Sequence, residues 1–253
     1  MSQVKARAEI EILKQGGSIL AAVLQAVAAV VRAGVSTAEL NARAEAGLRK
    51  RGATPSFLGY GDTKNPYPAS LCTSVNAGVV HGIPSQSTLL REGDIVGLDL
   101  GCWYQGLCTD MALTVAVGSV SSVASKLIKV TRAALTEGLK QVHAGGHVGD
   151  ISHAIQTYVE ASGFSVVRAL TGHGVGHAVH EAPPVPNFGS AGAGPLLEPG
   201  MVLAIEPMVN AGGYAVEWLL DGWGVVTADG SLSAHFEHTV VVTEKGYEVL
   251  TQV

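Results

Sequence analysis

The sequence predicts an α+β fold in which one unit of helices packed on a curved antiparallel sheet occurs twice, related by a pseudo-twofold axis. Two helical patterns come before a group of strand-like runs, and the same order starts again after Gly118. One segment of the first strand group also resembles a segment of the second in sequence. We therefore expect one domain over residues 1–253, with repeats at about 1–118 and 119–253.

The first repeat opens with two predicted helices. Apolar residues recur at helical spacing between positions 13 and 31, and Gly34 is a natural stop. Ser36 with Glu39 three residues later is a capping-box pattern, which predicts a second helix over 37–51.

Strand-like runs rich in Val, Leu and Ile follow the helices. The first repeat has such runs at 94–103 and 107–117. The second repeat is predicted to have helices at about 123–142 and 150–162, followed by strands at 201–209, 214–219 and 234–243.

The sequence similarity between the repeats places a carboxylate at the end of two apolar strands. LREGDIVGLDL at 90–100 aligns with LEPGMVLAIEP at 197–207. Gly93 then matches Gly200, and Asp99 matches Glu206.

Composition narrows the class of protein. Apolar residues make up 47% of the chain and charged residues 15%, which is enough apolar surface for a folded core. The net charge of -5 comes without any basic run, so neither nucleic acid nor a membrane surface is an expected partner. The apolar segment 19–31 is broken by Gln25 and is expected to be a buried helix rather than a membrane span.

The N-terminal stretch MSQVKARAEIEILKQ mixes charges and is unlike a secretory signal. The chain has three cysteines, Cys72, Cys102 and Cys108, an odd number that argues against a disulfide framework. A reducing compartment, the cytoplasm, is therefore expected.

Four acids in apolar surroundings predict a metal site. Asp99 and Asp110 lie equally far from Tyr104 and Gln105, so a tight hairpin with those two residues at its tip would make the carboxylates face each other. Two adjacent buried anions repel unless a cation lies between them. Two structural aspartates are the alternative, but Glu206 and Glu237 add further acids to apolar strands and favour the metal.

The segment TGHGVGHAVHEAPP supplies three histidines, of which one is expected to coordinate. Imidazole with several carboxylates is a ligand set that suits Mn, Fe, Co or Zn. A plain surface loop is the alternative. A phosphate-binding turn is disfavoured, because the Lys of a P-loop is absent. The three histidines are His173, His177 and His180.

Six motifs together resemble the type I methionine aminopeptidases, whose duplicated pita-bread α+β fold is shared with prolidase and creatinase. The resemblance covers nearly the whole chain. The motifs are SVNAGVVHGIP, GDIVGLDL, CTDMA, TGHGVGHAVHEAP, GMVLAIEPM and SAHFEHTVVVT.

The resemblance implies two divalent metal ions held by five side chains, with Asp110 and Glu237 bridging them. A water between the ions would ionise near neutral pH and attack the scissile carbonyl, with Glu206 as proton shuttle. His81 and His180 would be catalytic by hydrogen-bonding the scissile amide, whereas His177 has no assigned role. The metal ligands are Asp99, Asp110, His173, Glu206 and Glu237.

The resemblance also implies a pocket for the methionine side chain, because aromatic and sulfur surfaces suit a thioether. Its expected walls are Phe57, Tyr60, Tyr67, Cys72 and Trp223. The chain departs from the family pattern at two places. The segment between Tyr60 and Tyr67 is longer than in the shortest bacterial relatives, and Val179 replaces a common aromatic residue, which predicts a wider site.

The resemblance predicts the N-termini of nascent polypeptides as partners, with proximity to the ribosome and a monomeric state as further expectations. Two other functions remain open. One is an X-Pro aminopeptidase or dipeptidase, although such relatives usually carry an extra N-terminal domain. The other is a binding module that kept the fold and lost catalysis, although such proteins typically lose ligands and gain basic insertions.

Overall fold

The computed structural model of the chain describes residues 4–253, so the first three residues of the polar N-terminal stretch lie outside the described residues. The fold is α+β, as predicted. The helices are α1 (Arg7–Ala28), α2 (Thr37–Lys50), α3 (Ser122–Leu139) and α4 (Val148–Ala161). The strands are β1 (Thr54–Pro55), β2 (Leu71–Val75), β3 (Gly78–Val80), β4 (Ile95–Tyr104), β5 (Leu107–Ala116), β6 (Ser165–Val166), β7 (Thr171–Gly174), β8 (Glu181–Pro186), β9 (Val202–Ile205), β10 (Met208–Asn210), β11 (Val216–Trp218), β12 (Val225–Thr227), β13 (Ser233–His235), β14 (His238–Thr243) and β15 (Gly246–Val249).

In the first half of the chain, residues 1–118, one helix boundary follows from a local side-chain contact and another from a contact far along the chain. Ser36 Oγ accepts a hydrogen bond from the backbone N–H of Glu39 at 3.2 Å, which confirms the predicted start of α2. The prediction that the first helix runs to Gly34 is wrong, because α1 ends at Ala28. The chain then leaves the helix so that the Gly34 N–H can bond the carbonyl of Leu90 at 2.8 Å.

Helices cover one face of each main sheet. In the first sheet β4 pairs with β1, β2 and β5, and α1 packs on β4 and β5. The five-stranded sheet has the order β15-β14-β9-β7-β8, and α3 and α4 pack together beside it over a second apolar core. By length and composition α1 could cross a membrane, and in this fold it buries Leu20, Leu24 and Val27 in the protein core.

Strand alternation directs the acids away from the helices. Leu98 and Leu100 of β4 belong to the apolar core beneath α1 and α2. Asp99, between them, therefore points to the opposite face of the sheet. Gly101, two positions after Asp99, lies on the same face of β4, and its partner on β5 is Asp110, so Asp110 shares the face of Asp99.

The predicted direct pairing of Asp99 with Asp110 is wrong. Asp99 lies opposite Ala112, and Asp110 lies opposite Gly101, so the two acids are diagonal neighbours on one face. The hairpin turn consists of Gln105 and Gly106, both with positive φ (49° and 84°), rather than Tyr104 and Gln105. Such a turn matches the twist of the strands and favours glycine at its second position. The centre of the turn therefore lies one residue later than predicted, and the residue opposite Asp99 changes from Asp110 to Ala112.

The predicted strands 201–209 and 234–243 are each interrupted at an acid. Strand β9 ends at Ile205, so Glu206 lies outside a strand, and Pro207 next to it has no N–H to donate to a ladder. Glu237 lies between β13 and β14 rather than within a strand. The register is the same on both sides of the interruption, with Met208 opposite His235 and His238 opposite Ile205.

Two threonines connect the halves across this interruption. Thr239 Oγ1 donates to the Asp110 carbonyl at 2.7 Å and accepts from the Asp110 N–H at 2.9 Å. Thr114 Oγ1 does the same with the carbonyl and N–H of His235, both at 2.9 Å. Each half thus supplies one hydroxyl that satisfies a buried backbone position in the other half.

Candidate metal centre

One cavity of about 490 Å³ brings together all the side chains that the sequence predicted as site residues. Residues from both halves contribute to it, and several lie more than a hundred positions apart in the chain. The cavity is lined by Phe57, Tyr60, Tyr67, Cys72, His81, Asp99, Asp110, His173, His180, Glu206, Trp223 and Glu237.

The five predicted metal ligands are buried at the end of this cavity. None is more than 9% exposed, and Glu237 is only 2% exposed. Asp110, His173 and Glu237 each offer a ligand atom within 4.8 Å of the others, close enough for one ion to contact all three.

Within residues 4–253, no cationic side chain lines the cavity beside the four carboxylates. Among the described residues that line the cavity, none is lysine or arginine. Burial raises the pKa of Asp110 to about 7 and that of Glu206 to about 8. Burial, with Asp110 as an added negative neighbour, also raises the pKa values of Asp99 and Glu237 well above their usual range. In the protein alone these acids disfavour their own ionisation, which a bound cation would reverse.

Unpaired atoms and one histidine tautomer show that the cluster fits a metal. Asp99 Oδ1 and Glu237 Oε1 are buried without a hydrogen-bond partner among residues 4–253. His173 Nδ1 lies 2.8 Å from the Gly174 carbonyl, which can only accept, so Nδ1 carries the proton. His173 Nε2 therefore has a free lone pair, and it lies 3.5 Å from Glu206 Oε1. In the metal-free protein, where burial raises the pKa of Glu206 to about 8, a proton can lie between these two atoms, and a bound cation would take its place.

The two predicted substrate histidines lie at the side of the cluster. His81 has a left-handed backbone with φ 58°, a rare conformation for a side chain of this size. Burial lowers the pKa of His81 to about 4 and also lowers that of His180, so both rings are neutral at pH 7. His180 Nδ1 is 2.5 Å from Tyr60 Oη, and its ring packs edge-on against His173 at 4.3 Å between centroids.

Aromatic and sulfur groups line the rest of the cavity and form its aromatic wall. Tyr67 and Trp223 pack edge to face with ring centroids 5.3 Å apart, and Cys72 lies opposite Asp99 in the pairing of β2 with β4. The longer segment between Tyr60 and Tyr67 does not displace Tyr67. The Tyr67 N–H bonds the Tyr60 carbonyl at 2.8 Å, which closes the extra residues into a loop and keeps both rings at the cavity.

Sequence reasoning missed His235. Its Nε2 lies 3.2 Å from Glu206 Oε2, and its side chain is 3% exposed. Burial lowers its pKa to about 3, so it is a neutral neighbour of that carboxylate. The sequence contained a signal for this residue. His235 stands two positions before Glu237 near a strand end, and strand alternation favours the same face for both side chains.

The chain matches the profile of metallopeptidase family M24 over residues 11–244. The chain belongs to metallopeptidase family M24. Metal-dependent peptide hydrolysis, as predicted, is the chemistry of that family, and the buried acid and histidine cluster agrees with it.

Individual proteins resemble the chain over nearly all of its length. The methionine aminopeptidase of Clostridium perfringens is 50% identical over 97% of this chain and 96% of its own. The crystal structure of the methionine aminopeptidase from Thermotoga maritima superposes with a TM-score of 0.97 at 43% identity, covering 100% of both chains. These similarities confirm the predicted pita-bread fold.

A solved dipeptidase structure is less similar to the chain. The Xaa-Pro dipeptidase from Bacillus anthracis superposes with a TM-score of 0.78 at 27% identity. The match covers 99% of this chain but only 62% of that one, so the dipeptidase has a large region with no counterpart here.

Proposed function

We propose that this M24 peptidase removes the first methionine from polypeptides with two divalent metal ions. The observation that supports this most is the single cavity, which joins a buried ligand cluster to an aromatic and sulfur wall. Proteins named methionine aminopeptidase are 50% and 43% identical to the chain, whereas the Xaa-Pro dipeptidase is 27% identical.

The ligands for the ions are four carboxylates and one imidazole. Asp110 and Glu237 belong to different halves, and each offers an oxygen within 4.8 Å of a His173 nitrogen, so these two carboxylates would be the ones to hold both ions. Bound divalent ions lower the pKa of a water molecule and polarise a carbonyl. Imidazole with carboxylate oxygens admits Mn, Fe, Co or Zn. The five ligands are Asp99, Asp110, His173, Glu206 and Glu237.

His81 and His180 orient the scissile amide. The Tyr60 hydroxyl stays protonated, because burial raises its pKa, and we assign it as donor to His180 Nδ1. His180 then carries its own proton on Nε2, where it can be donated to a substrate oxygen. A neutral imidazole that donates one hydrogen bond stabilises negative charge as it develops on that oxygen.

Glu206 transfers the proton from the attacking water to the leaving amine. Its metal-free pKa of about 8 shows how strongly the buried site favours its protonated form. Bound divalent ions would lower this pKa, so the ionised Glu206 carboxylate could accept the proton of the water and then return it to the amine. The neighbouring His235 holds no cationic charge that would fix Glu206 in its ionised state.

The aromatic wall receives the methionine side chain. Phe57, Tyr67, Cys72 and Trp223 present apolar and polarisable surface beside the ligand cluster. The Trp223 ring is held in place because its Nε1 donates to the Asn65 carbonyl at 3.1 Å. A thioether gains dispersion and sulfur–aromatic contacts in such a wall.

Peptide assays with metal-reconstituted protein test the function. We expect turnover of Met-Gly-Met and little turnover of an X-Pro dipeptide. Turnover of the proline substrate alone would refute the methionine assignment. Elemental analysis counts the ions, and protein that binds no divalent ion would favour a binding module instead.

The cellular setting is part of the same proposal. Cys72, Cys102 and Cys108 are buried free thiols, which suits the reducing cytoplasm, where nascent N-termini emerge. We propose a monomer that acts on these termini close to the ribosome. Size-exclusion chromatography and ribosome co-sedimentation test the two statements separately.

A further inference from the structure

The loop at residues 175–180 is held in place by a carboxylate that the proposed mechanism does not use. This loop joins β7 to β8 and carries His180. Glu181 folds back over it, and its Oε1 accepts hydrogen bonds from the backbone N–H groups of His177 at 2.5 Å and Ala178 at 2.9 Å. Glu181 therefore fixes the loop backbone immediately before His180.

Lys5 binds the other oxygen of the same carboxylate. Lys5 Nζ lies 2.7 Å from Glu181 Oε2, and the lysine side chain is 0% exposed. The Lys5 backbone is itself fixed, because its N–H donates to the Gly200 carbonyl at 2.8 Å. A buried, charge-assisted pair tolerates little displacement, so the position of Lys5 is transmitted to Glu181.

The stem of Lys5 also packs directly against the loop. A Cβ atom added at Gly176 would collide with Cε of Lys5, so only glycine allows this approach. The Gly176 carbonyl accepts from the Cys108 N–H at 2.7 Å on the other side. The loop is thus held between β5 and the N-terminal segment.

Glu9, in the first turn of α1, adds a second contact. Its Oε1 lies 2.5 Å from His177 Nε2, and its Oε2 accepts from the Ala6 N–H at 2.7 Å. Both side chains of the Glu9–His177 pair are about one third exposed (32% and 37%), so solvent weakens this contact relative to the buried lysine pair.

We propose that Lys5, assisted by Glu9, is a positioning residue that holds His180 in its substrate-binding geometry through Glu181 and the loop 175–180. The proposal deepens the proposed function, because the substrate role of His180 belongs to it. Neither Lys5 nor Glu9 lines the cavity, so both act through the loop rather than on the substrate.

The variant Lys5→Met tests the lysine, because it keeps most of the stem and removes the ammonium group. We expect kcat/KM on Met-Gly-Met to fall about 10- to 100-fold, mainly in kcat, with metal content unchanged. Lys14→Met is the matched control. Lys14 lies on α1 and pairs with Glu248 at 2.8 Å, away from the loop, so its loss should leave kcat/KM unchanged.

A mutant cycle separates positioning from simple destabilisation. If Lys5 acts through His180, then Lys5→Met has no further effect on kcat/KM in a His180→Ala background. An equal loss in both backgrounds would overturn the proposal. If Lys5→Met does not fold, Glu181→Gln takes its place in the cycle, because it removes the charge and retains the oxygen that accepts from the loop.

A measurement on metal-free protein makes the test independent of activity. The His180 imidazole resonances in a ¹H–¹⁵N spectrum should shift in Lys5→Met, shift less in Glu9→Gln and stay in place in Lys14→Met. Unchanged His180 resonances in Lys5→Met would refute the positioning role. If the wild type fails to cleave Met-Gly-Met, the proposed function fails while this spectrum still decides the loop's geometry.

Discussion

The two halves of the molecule deliver their acids to the cavity in different ways. Asp99 and Asp110 lie within an uninterrupted hairpin of two ten-residue strands, as diagonal neighbours. Glu206 and Glu237 lie where both strands of a pair are interrupted, one position beyond the facing residues Ile205 and His238. The carboxylates of both halves therefore reach the same cavity, but the backbone around them is a continuous hairpin in one half and an interrupted strand pair in the other.

The interruption in the second half has a structural use. Because Glu237 is not paired within its own sheet, its backbone N–H is available to another strand. This N–H donates to the Ala112 carbonyl of β5 at 2.8 Å. Ala112 lies opposite Asp99, so this bond ties an acid of the second half to the strand pair that carries the acids of the first. A continuous strand would have used the same N–H within its own sheet.

The largest effect is expected from removing one acid of each half. Asp110→Ala and Glu237→Ala should each abolish metal binding and lower kcat/KM by about 1000-fold or more, because each variant removes several kcal/mol of metal ligation. Metal titration with activity measurement checks both. Glu248→Gln, an exposed acid outside the cavity, is the control. Retained activity in only one variant would show that the halves are unequal and would contradict two bridging positions.

Next come the histidines, again one from each half. His81→Ala and His180→Ala should lower kcat by about 100-fold, because each removes one donor to the developing charge. Metal content should stay near that of the wild type. His153→Ala, an exposed histidine on α4, controls for loss of an imidazole as such. If His81→Ala lost metal instead, His81 would be a ligand and not a substrate group.

A smaller loss is expected where the halves are joined by hydroxyl groups. Thr239→Val and Thr114→Val should each lower the free energy of unfolding by about 1–3 kcal/mol, because each leaves a buried N–H and carbonyl unpaired. Urea denaturation measures this. Thr239→Val should also weaken metal binding more than Thr114→Val, since Thr239 holds the backbone of Asp110. Equal metal affinity in the two variants would disprove that coupling.

The smallest effect concerns the matched glycines before β4 and β9. Gly93 and Gly200 have φ of 92° and 90°, so alanine at Gly93 should cost about 1–2 kcal/mol from backbone strain alone. Gly200→Ala should cost more, because its Cβ would lie 2.8 Å from Val4 Cγ1. Thermal unfolding of both variants compares them. A Gly93 variant that is the less stable of the two would contradict the packing of the N-terminal segment over Gly200.

The sequence predicted the four helices and the long strands β4 and β5 because their signals are local. The cap of α2 at Ser36 and the helices of the second half follow from side chains a few residues apart. The hairpin register was missed because equal spacing about Tyr104 and Gln105 ignores the backbone requirement of the turn. The interruptions at Glu206 and Glu237 were missed because an apolar run does not reveal where backbone pairing between two strands stops and a backbone N–H bonds to another strand instead.

The sequence by itself determined which motifs the chain carries, because the acids and histidines of the site stand in short segments that can be recognised without a structure. It did not determine the contacts among residues far apart in the chain. The tertiary structure decided the diagonal placement of Asp99 and Asp110, the approach of His235 to Glu206 and the contact of Lys5 with Glu181. Pattern and spacing act over a few residues, whereas these contacts depend on how whole sheets and the N-terminal segment pack together.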